Sequence, residues 1–224
     1  MMPLVARIPR LRFRVILGFL LLILALAPVL QEETRPAMSR MLGLLGLLVP
    51  ILALAAIDAP GRPRRIAIAL ASLCLLASAD NLVGFSHLPP QIGIALCVLF
   101  LAYTTARLFM GVVASPTVTA DVIAGALASY MLVGLTWAFA YGLLETVRPG
   151  SIQGLAEGGA ALDFPSLLYF SYITLLTIGY GDITPLSATA RMMTVVEGLL
   201  GMALTTIVLA VLVAAHLRHR DNRI

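Results

Sequence analysis

Residues 177–181, Thr-Ile-Gly-Tyr-Gly, are followed by Asp182 and lie between two long apolar stretches, behind a short segment, Pro165–Leu176, that reads as a helix. Glycine has the most backbone freedom to lose, so a strip that repeats it is costly unless a special conformation is required. In lipid, non-helical backbone survives only where protein buries it or where it lines a wet cavity. A strip whose carbonyls all turn one way needs glycine at alternate positions, because glycine reaches left-handed dihedrals at no steric cost. Four such strips around an axis would exchange the water shell of a cation for rings of carbonyl oxygen.

The surrounding chain supplies the membrane. It is 60% hydrophobic and 12% charged, against about 45–50% and 25% for ordinary soluble domains. This composition implies a multi-span, all-α membrane protein. The net charge is +4 and every basic residue is arginine. The arginines cluster at the flanks of apolar runs, which membrane orientation explains and nucleic-acid binding does not. Cys74 and Cys97 fall inside apolar runs and read as small buried hydrophobes. His87, His216 and His219 have no partners at metal-ligand spacing. The absence of a nucleophile–base arrangement, a phosphate loop or a metal cluster in the sequence argues against an enzyme and against a cofactor.

A membrane span needs about 20 apolar residues. Six stretches qualify: Phe13–Leu30, Met41–Ile57, Ile66–Phe85, Ile92–Met110, Val122–Leu144 and Ala188–Leu217. The first has a basic start and an Ala-Leu-Ala stretch at Ala25–Ala27, so a signal peptide is the alternative there. Arginine placement orients the spans. Arg7, Arg10, Arg12 and Arg14, then Arg62, Arg64 and Arg65, then Arg218, Arg220 and Arg223 fall on one side if all six cross. That side is cytoplasmic, with both termini inside a cell (inner) membrane. The loops carrying Glu32, Glu33, Arg35 and Arg40, and then Ser86–Pro90, fall outside. Asp80, near the outer end of the third span, reads as reaching the interface, and Asp121 as a helix-start acid.

Glu145–Asp163, rich in glycine and polar residues, reads as a flexible outer turret. Asp163 is suited to cap the helix that follows and Pro165 to its first turn. The few residues after Leu217 lead to the expectation that no cytoplasmic regulatory domain is attached. One filter strip per chain, without an internal repeat, implies a homotetramer around the pore axis.

The stretch Tyr169-Phe-Ser-Tyr-Ile-Thr-Leu-Leu-Thr-Ile-Gly-Tyr-Gly-Asp182 resembles the pore helix and selectivity filter of tetrameric potassium channels. Thr174 lies three before Thr177, Pro185 three after Asp182, Arg191 opens the last span, and Gly201 follows Tyr180 by twenty-one. The resemblance implies a pore domain at 118–224 and a four-helix bundle at 1–117 in the place of a voltage sensor. It implies potassium as the permeant ion, coordinated by the carbonyls of Thr177, Ile178, Gly179 and Tyr180, with Gly181 completing the strip. It assigns filter support to Tyr169, Phe170, Thr174 and Asp182, with Tyr180 bracing the strip. Tyr169 and Phe170 stand where the family usually has tryptophans, and Ile173 where some members carry a glutamate. Gly201 is expected to act as an inner-helix hinge, with close helix packing as the alternative. Met202, Thr205 and Leu209 are expected to line the cavity and inner mouth. Glu197, an acid inside the last span, is expected to face the pore helix and accept a bond from Tyr172 or another hydroxyl, with cavity lining as the alternative. A weakly selective cation channel is the other activity on this fold. The fourth span lacks the arginine array of a voltage sensor, carrying only Arg107.

Overall fold

The structure, a computed structural model, describes residues 12–32, 62–83, 89–115, 119–154 and 162–221. The expected second span, His87, the loop around Arg35 and Arg40, and the terminal arginines Arg7, Arg10 and Arg223 lie outside the described residues. The elements are α1 (Arg12–Glu32), α2 (Arg62–Val83), α3 (Pro90–Val113), α4 (Ala120–Val147), β1 (Ile152–Gln153), α5 (Phe164–Leu175), β2 (Thr184–Pro185) and α6 (Ala188–Asp221). Among the described residues, three helices are long and apolar enough to cross a membrane: Pro90–Val113, Ala120–Val147 and the first part of α6, Ala188–Ala210. Phe13–Ala25 and Phe164–Leu175 are shorter apolar helices.

The helix starts follow from local chemistry. Thr119 caps α4 by accepting from the Val122 amide at 3.3 Å, and Asp121 sits in the first turn where the helix dipole favours an acid. Asp163 caps α5 by accepting from the Ser166 amide at 3.0 Å, and Pro165 occupies the first turn where its missing N–H costs nothing. Pro90 opens α3 in the same way.

The hairpin of α3 and α4 is the backbone of the fold, with α2 laid on α3 and α1 on α4. The pore-side pair α5 and α6 packs on α4 and on each other. One apolar core joins Ile16, Leu20 and Ile23 of α1 to Ala71 of α2, Phe100 and Leu108 of α3, Leu132 and Leu135 of α4, and Leu168 of α5. This core crosses the expected division at 117/118. Helix α1 contacts α4 and α5 directly, so residues on both sides of that expected division share one core.

Part of the expected turret is pinned. Glu145, in the last turn of α4, accepts from the Ile152 amide through Oε1 at 2.6 Å and from the Gly150 amide through Oε2 at 3.0 Å. That fixes β1, which pairs antiparallel with β2 (Ile152 opposite Pro185, Gln153 opposite Thr184). The Leu186 and Ser187 amides both donate to the Ser151 carbonyl. The strap ties the outer end of α4 to the chain leaving the filter strip.

Candidate functional site: the pore strip and its supports

The strip leaves the C-terminal end of α5 as extended backbone with alternating handedness. Thr177, Gly179 and Gly181 have φ of 58°, 58° and 82°. For glycine this is free. For Thr177, the one non-glycine residue with positive φ among the described residues, it costs of order 1–3 kcal/mol. The amides of 177–179 turn back onto the pore helix. Thr177 N donates to Thr174 O at 3.0 Å, Ile178 N to Ile173 O at 2.8 Å, and Gly179 N to Ile173 O at 3.2 Å. Across a planar trans peptide the carbonyl points opposite its amide N–H. The Thr177 and Ile178 carbonyls are therefore aimed away from α5. Strip residues 176–181 are exposed within the chain, with Tyr180 71% exposed.

Asp182 and Tyr169 meet at the outer end of the strip. The nearby Asp182 carboxylate pushes the pKa of the Tyr169 phenol above its ordinary value. Asp182 Oδ1 is buried and has no partner among the described residues. Phe170 is buried in an aromatic row contributed largely by α4. Its ring lies 5.0 Å from Tyr141, and Tyr141 lies 5.9 Å from Trp137. Trp137 of α4 stands at the end of this row. Ile173 is buried in the same cluster.

Hydroxyls bolt α5 to α4. Tyr172 donates to Met131 O at 2.9 Å, Ser171 to Gly134 O at 2.7 Å, and Tyr130 to Leu175 O at 2.8 Å. Gly134 makes the first two possible, because a Cβ there would lie 2.5 Å from Cε1 of Tyr172. Tyr130, Gly134 and Tyr141 fall on one face of α4, a polar and small stripe on an otherwise apolar helix. That stripe is the signal by which sequence reading could have found them.

Glu197 is fully buried, with 0% exposure. Its Oε2 accepts from Tyr141 at 2.6 Å, and Ser171 Oγ lies 2.5 Å from Oε1. The expectation that it faces the pore helix and takes a hydroxyl bond is met, but the partners are Tyr141 and Ser171. Tyr172, named as the first candidate, is spent on Met131 O. Within the chain its carboxylate is turned away from the open side of α6.

On α6, Ala190, Glu197 and Gly201 are buried. A Cβ at Gly201 would meet the Leu175 carbonyl oxygen at 2.5 Å. The close packing weighed against a hinge is therefore present. Met202 and Leu209 are 61% and 60% exposed, and Thr205 lies on the same open side. The Thr205 hydroxyl donates to Gly201 O at 2.9 Å, one turn back.

Residues 127–217 match the family model described as Ion channel. The match takes in most of α4, all of α5, the strip and most of α6. It supports a pore-loop cation channel family. With the apolar helices, it makes the chain a mostly helical membrane protein carrying an ion channel domain, and it points to ion transport rather than to an enzyme. Neither the curated proteins nor the solved structures gave a match.

Proposed function

We propose that the chain is one subunit of a homotetrameric, potassium-selective channel, conducting passively with six spans per subunit and both termini cytoplasmic. The observation that carries the reading is the left-handed alternation at Thr177, Gly179 and Gly181, combined with amides that turn back on α5. An ion entering the strip trades water for carbonyl oxygen of Thr177, Ile178, Gly179 and Tyr180, with the Thr177 hydroxyl at the inner end. Exchange between near-equivalent rings keeps binding strong enough to enter and weak enough to leave. Selectivity requires the rings to hold their spacing. The hydroxyl bonds behind α5, the aromatic row and the β1–β2 strap support that stiffness. The C-terminal end of α5 carries the negative end of its dipole and favours a cation in the cavity beneath. The exposed strip and the open side of α6 are the surfaces that three further copies would cover.

The test is reconstitution of purified protein in liposomes, with the reversal potential measured in mixed K⁺ and Na⁺. A reversal potential that follows the K⁺ gradient is expected. One that follows both ions equally makes the chain a weakly selective cation channel. Native mass measurement in detergent should give four copies, and a conducting monomer or dimer would end the tetramer reading.

A further inference from the structure

Three short oxygen–oxygen contacts meet between α4, α5 and α6. Tyr141 Oη lies 2.6 Å from Glu197 Oε2, Ser171 Oγ lies 2.5 Å from Glu197 Oε1, and Ser171 Oγ lies 2.7 Å from Gly134 O. Each of these distances requires a proton between the oxygens. A phenol and a serine hydroxyl carry one proton each, and a backbone carbonyl carries none. An ionised Glu197 therefore leaves two protons for three contacts. One pair, either Ser171–Glu197 or Ser171–Gly134, would then face lone pair to lone pair in a site without water-facing surface.

We infer that Glu197 is a neutral carboxylic acid whose own proton closes a relay from Glu197 Oε1 through Ser171 Oγ to Gly134 O, and that this relay is a positioning device for the pore helix behind the strip. The Tyr141 hydroxyl completes the set by donating to Oε2. Every contact then holds one proton, and no charge is buried. A charged group at membrane depth is costly, and a neutral acid with both oxygens bonded avoids that cost. The titratable groups facing Glu197 are Tyr141 and Tyr130, both on α4, while α5 contributes the Ser171 hydroxyl. Among the described residues, no cation is among the groups acting on it. The relay fixes the middle of α5, and Ile173 and Thr174, whose carbonyls receive the strip amides, follow within one turn. The role in conduction rests on the channel reading, whereas the proton assignment does not.

The experiment uses the full-length protein in lipid at neutral pH, as wild type, E197Q, E197A and S171A. Infrared difference spectra of wild type against E197Q should show a protonated-carboxyl C=O band that shifts in D₂O and that S171A moves. Carboxylate bands alone, or a band indifferent to S171A, would overturn the assignment. Glutamine keeps an acceptor for Tyr141 and a donor for Ser171, so E197Q should restore most of what E197A loses in tetramer melting and in K⁺ flux. E197A leaves the Tyr141 hydroxyl without its acceptor and should lower flux by about tenfold. E197Q falling as far as E197A would sink the relay. If E197A yields no folded protein, the infrared comparison of wild type, E197Q and S171A decides alone. A wild type that shows the band and no flux ends the channel reading and leaves the relay standing. Flux with an ionised Glu197 does the reverse.

Discussion

Gly201 of α6 lies against the backbone of Leu175, the last residue of α5, so closely that a Cβ at 201 would stand 2.5 Å from the Leu175 carbonyl oxygen. The same carbonyl accepts the Tyr130 hydroxyl at 2.8 Å. Helices α4, α5 and α6 therefore converge on the residue that immediately precedes the turn into the strip. A backbone oxygen at the end of a packed helix has little room to yield. Gly201→Ala should push α6 from α5 and destabilise the assembly by about 1–3 kcal/mol, the usual cost of overpacking. The melting temperature of the purified protein checks this. An unchanged or raised value would instead favour a purely conformational role for the glycine, since alanine is the better helix former by about 1 kcal/mol.

Gly134 and Tyr172 make the second contact that admits no side chain. Gly134→Ala should displace the Tyr172 ring and with it the Ser171 and Tyr172 bonds to α4, at a cost of about 1–3 kcal/mol. Tyr172→Phe keeps the ring and loses only the bond to Met131 O, costing roughly 0.5–1.5 kcal/mol. Denaturant or thermal melts of both variants should rank them in that order. The reverse order would mean that the hydroxyl, not the ring, holds the helix.

The strip itself tolerates space but not handedness. A Cβ at Gly179 or Gly181 would touch nothing within 4 Å in the chain, yet both sit at positive φ. Alanine at either position should cost roughly 1–2 kcal/mol per strip. K⁺ over Na⁺ selectivity should fall with it, as read by reversal potential. Wild-type selectivity in either variant would show that its glycine is not needed for the carbonyl alignment.

At the outer end, Tyr169→Phe removes the phenol proton near Asp182. Initial selectivity should survive, while K⁺ flux should decay sooner as the end of the strip loosens. The phenol pKa is raised in the fold, so its contribution is complete below the ordinary value of 10.0 and is lost as pH climbs through the raised value. Sustained flux should therefore fail at strongly alkaline pH in the wild type and show less of that loss in Tyr169→Phe. Equal alkaline loss in both would remove Tyr169 from the filter support.

The features legible in sequence were those set by local backbone chemistry. The left-handed alternation follows from where glycine stands, and the start of α5 follows from Asp163 and Pro165. The burial of Glu197 was also legible, because an acid inside an apolar span must find partners. Which partners was not. Ser171 and Tyr172 are adjacent on one helix and point about 100° apart, so only the packing of α5 against α6 and α4 decides that Ser171 reaches Glu197 and Tyr172 reaches Met131. The strap was missed for a related reason. Glu145 lies at the unfavourable end of a helix dipole, and this placement signalled that it had donors to satisfy. Those donors, the amides of Gly150 and Ile152, belong to a stretch whose glycines read as free loop. The contact of α1 with α4 left no trace in sequence, since any apolar helix face could make it.

Voltage should gate this protein weakly. Helix α3 covers the stretch expected as a fourth span and contains one arginine, Arg107, near its C-terminal end. Arg107 is partly buried, and its Nε has no partner among the described residues. A sensor moves charge through the membrane field, and one elementary charge crossing the whole field is worth about 2.3 kcal/mol per 100 mV. Four subunits with one such charge each supply at most about 9 kcal/mol per 100 mV, and only if Arg107 crosses completely; strongly gated channels move three or four charges per subunit. Complete crossing is opposed by the packing of α3. Phe100, Leu101, Leu108 and Val112 are buried against neighbouring helices, and Tyr103 donates to Pro63 O of α2 at 2.9 Å. Sliding α3 would break that bond and uncover those side chains. Conductance measured over a wide range of voltage steps should rise along a shallow curve. Arg107→Gln should leave that slope unchanged. A steep wild-type curve that flattens in Arg107→Gln would make α3 a moving sensor despite its single charge.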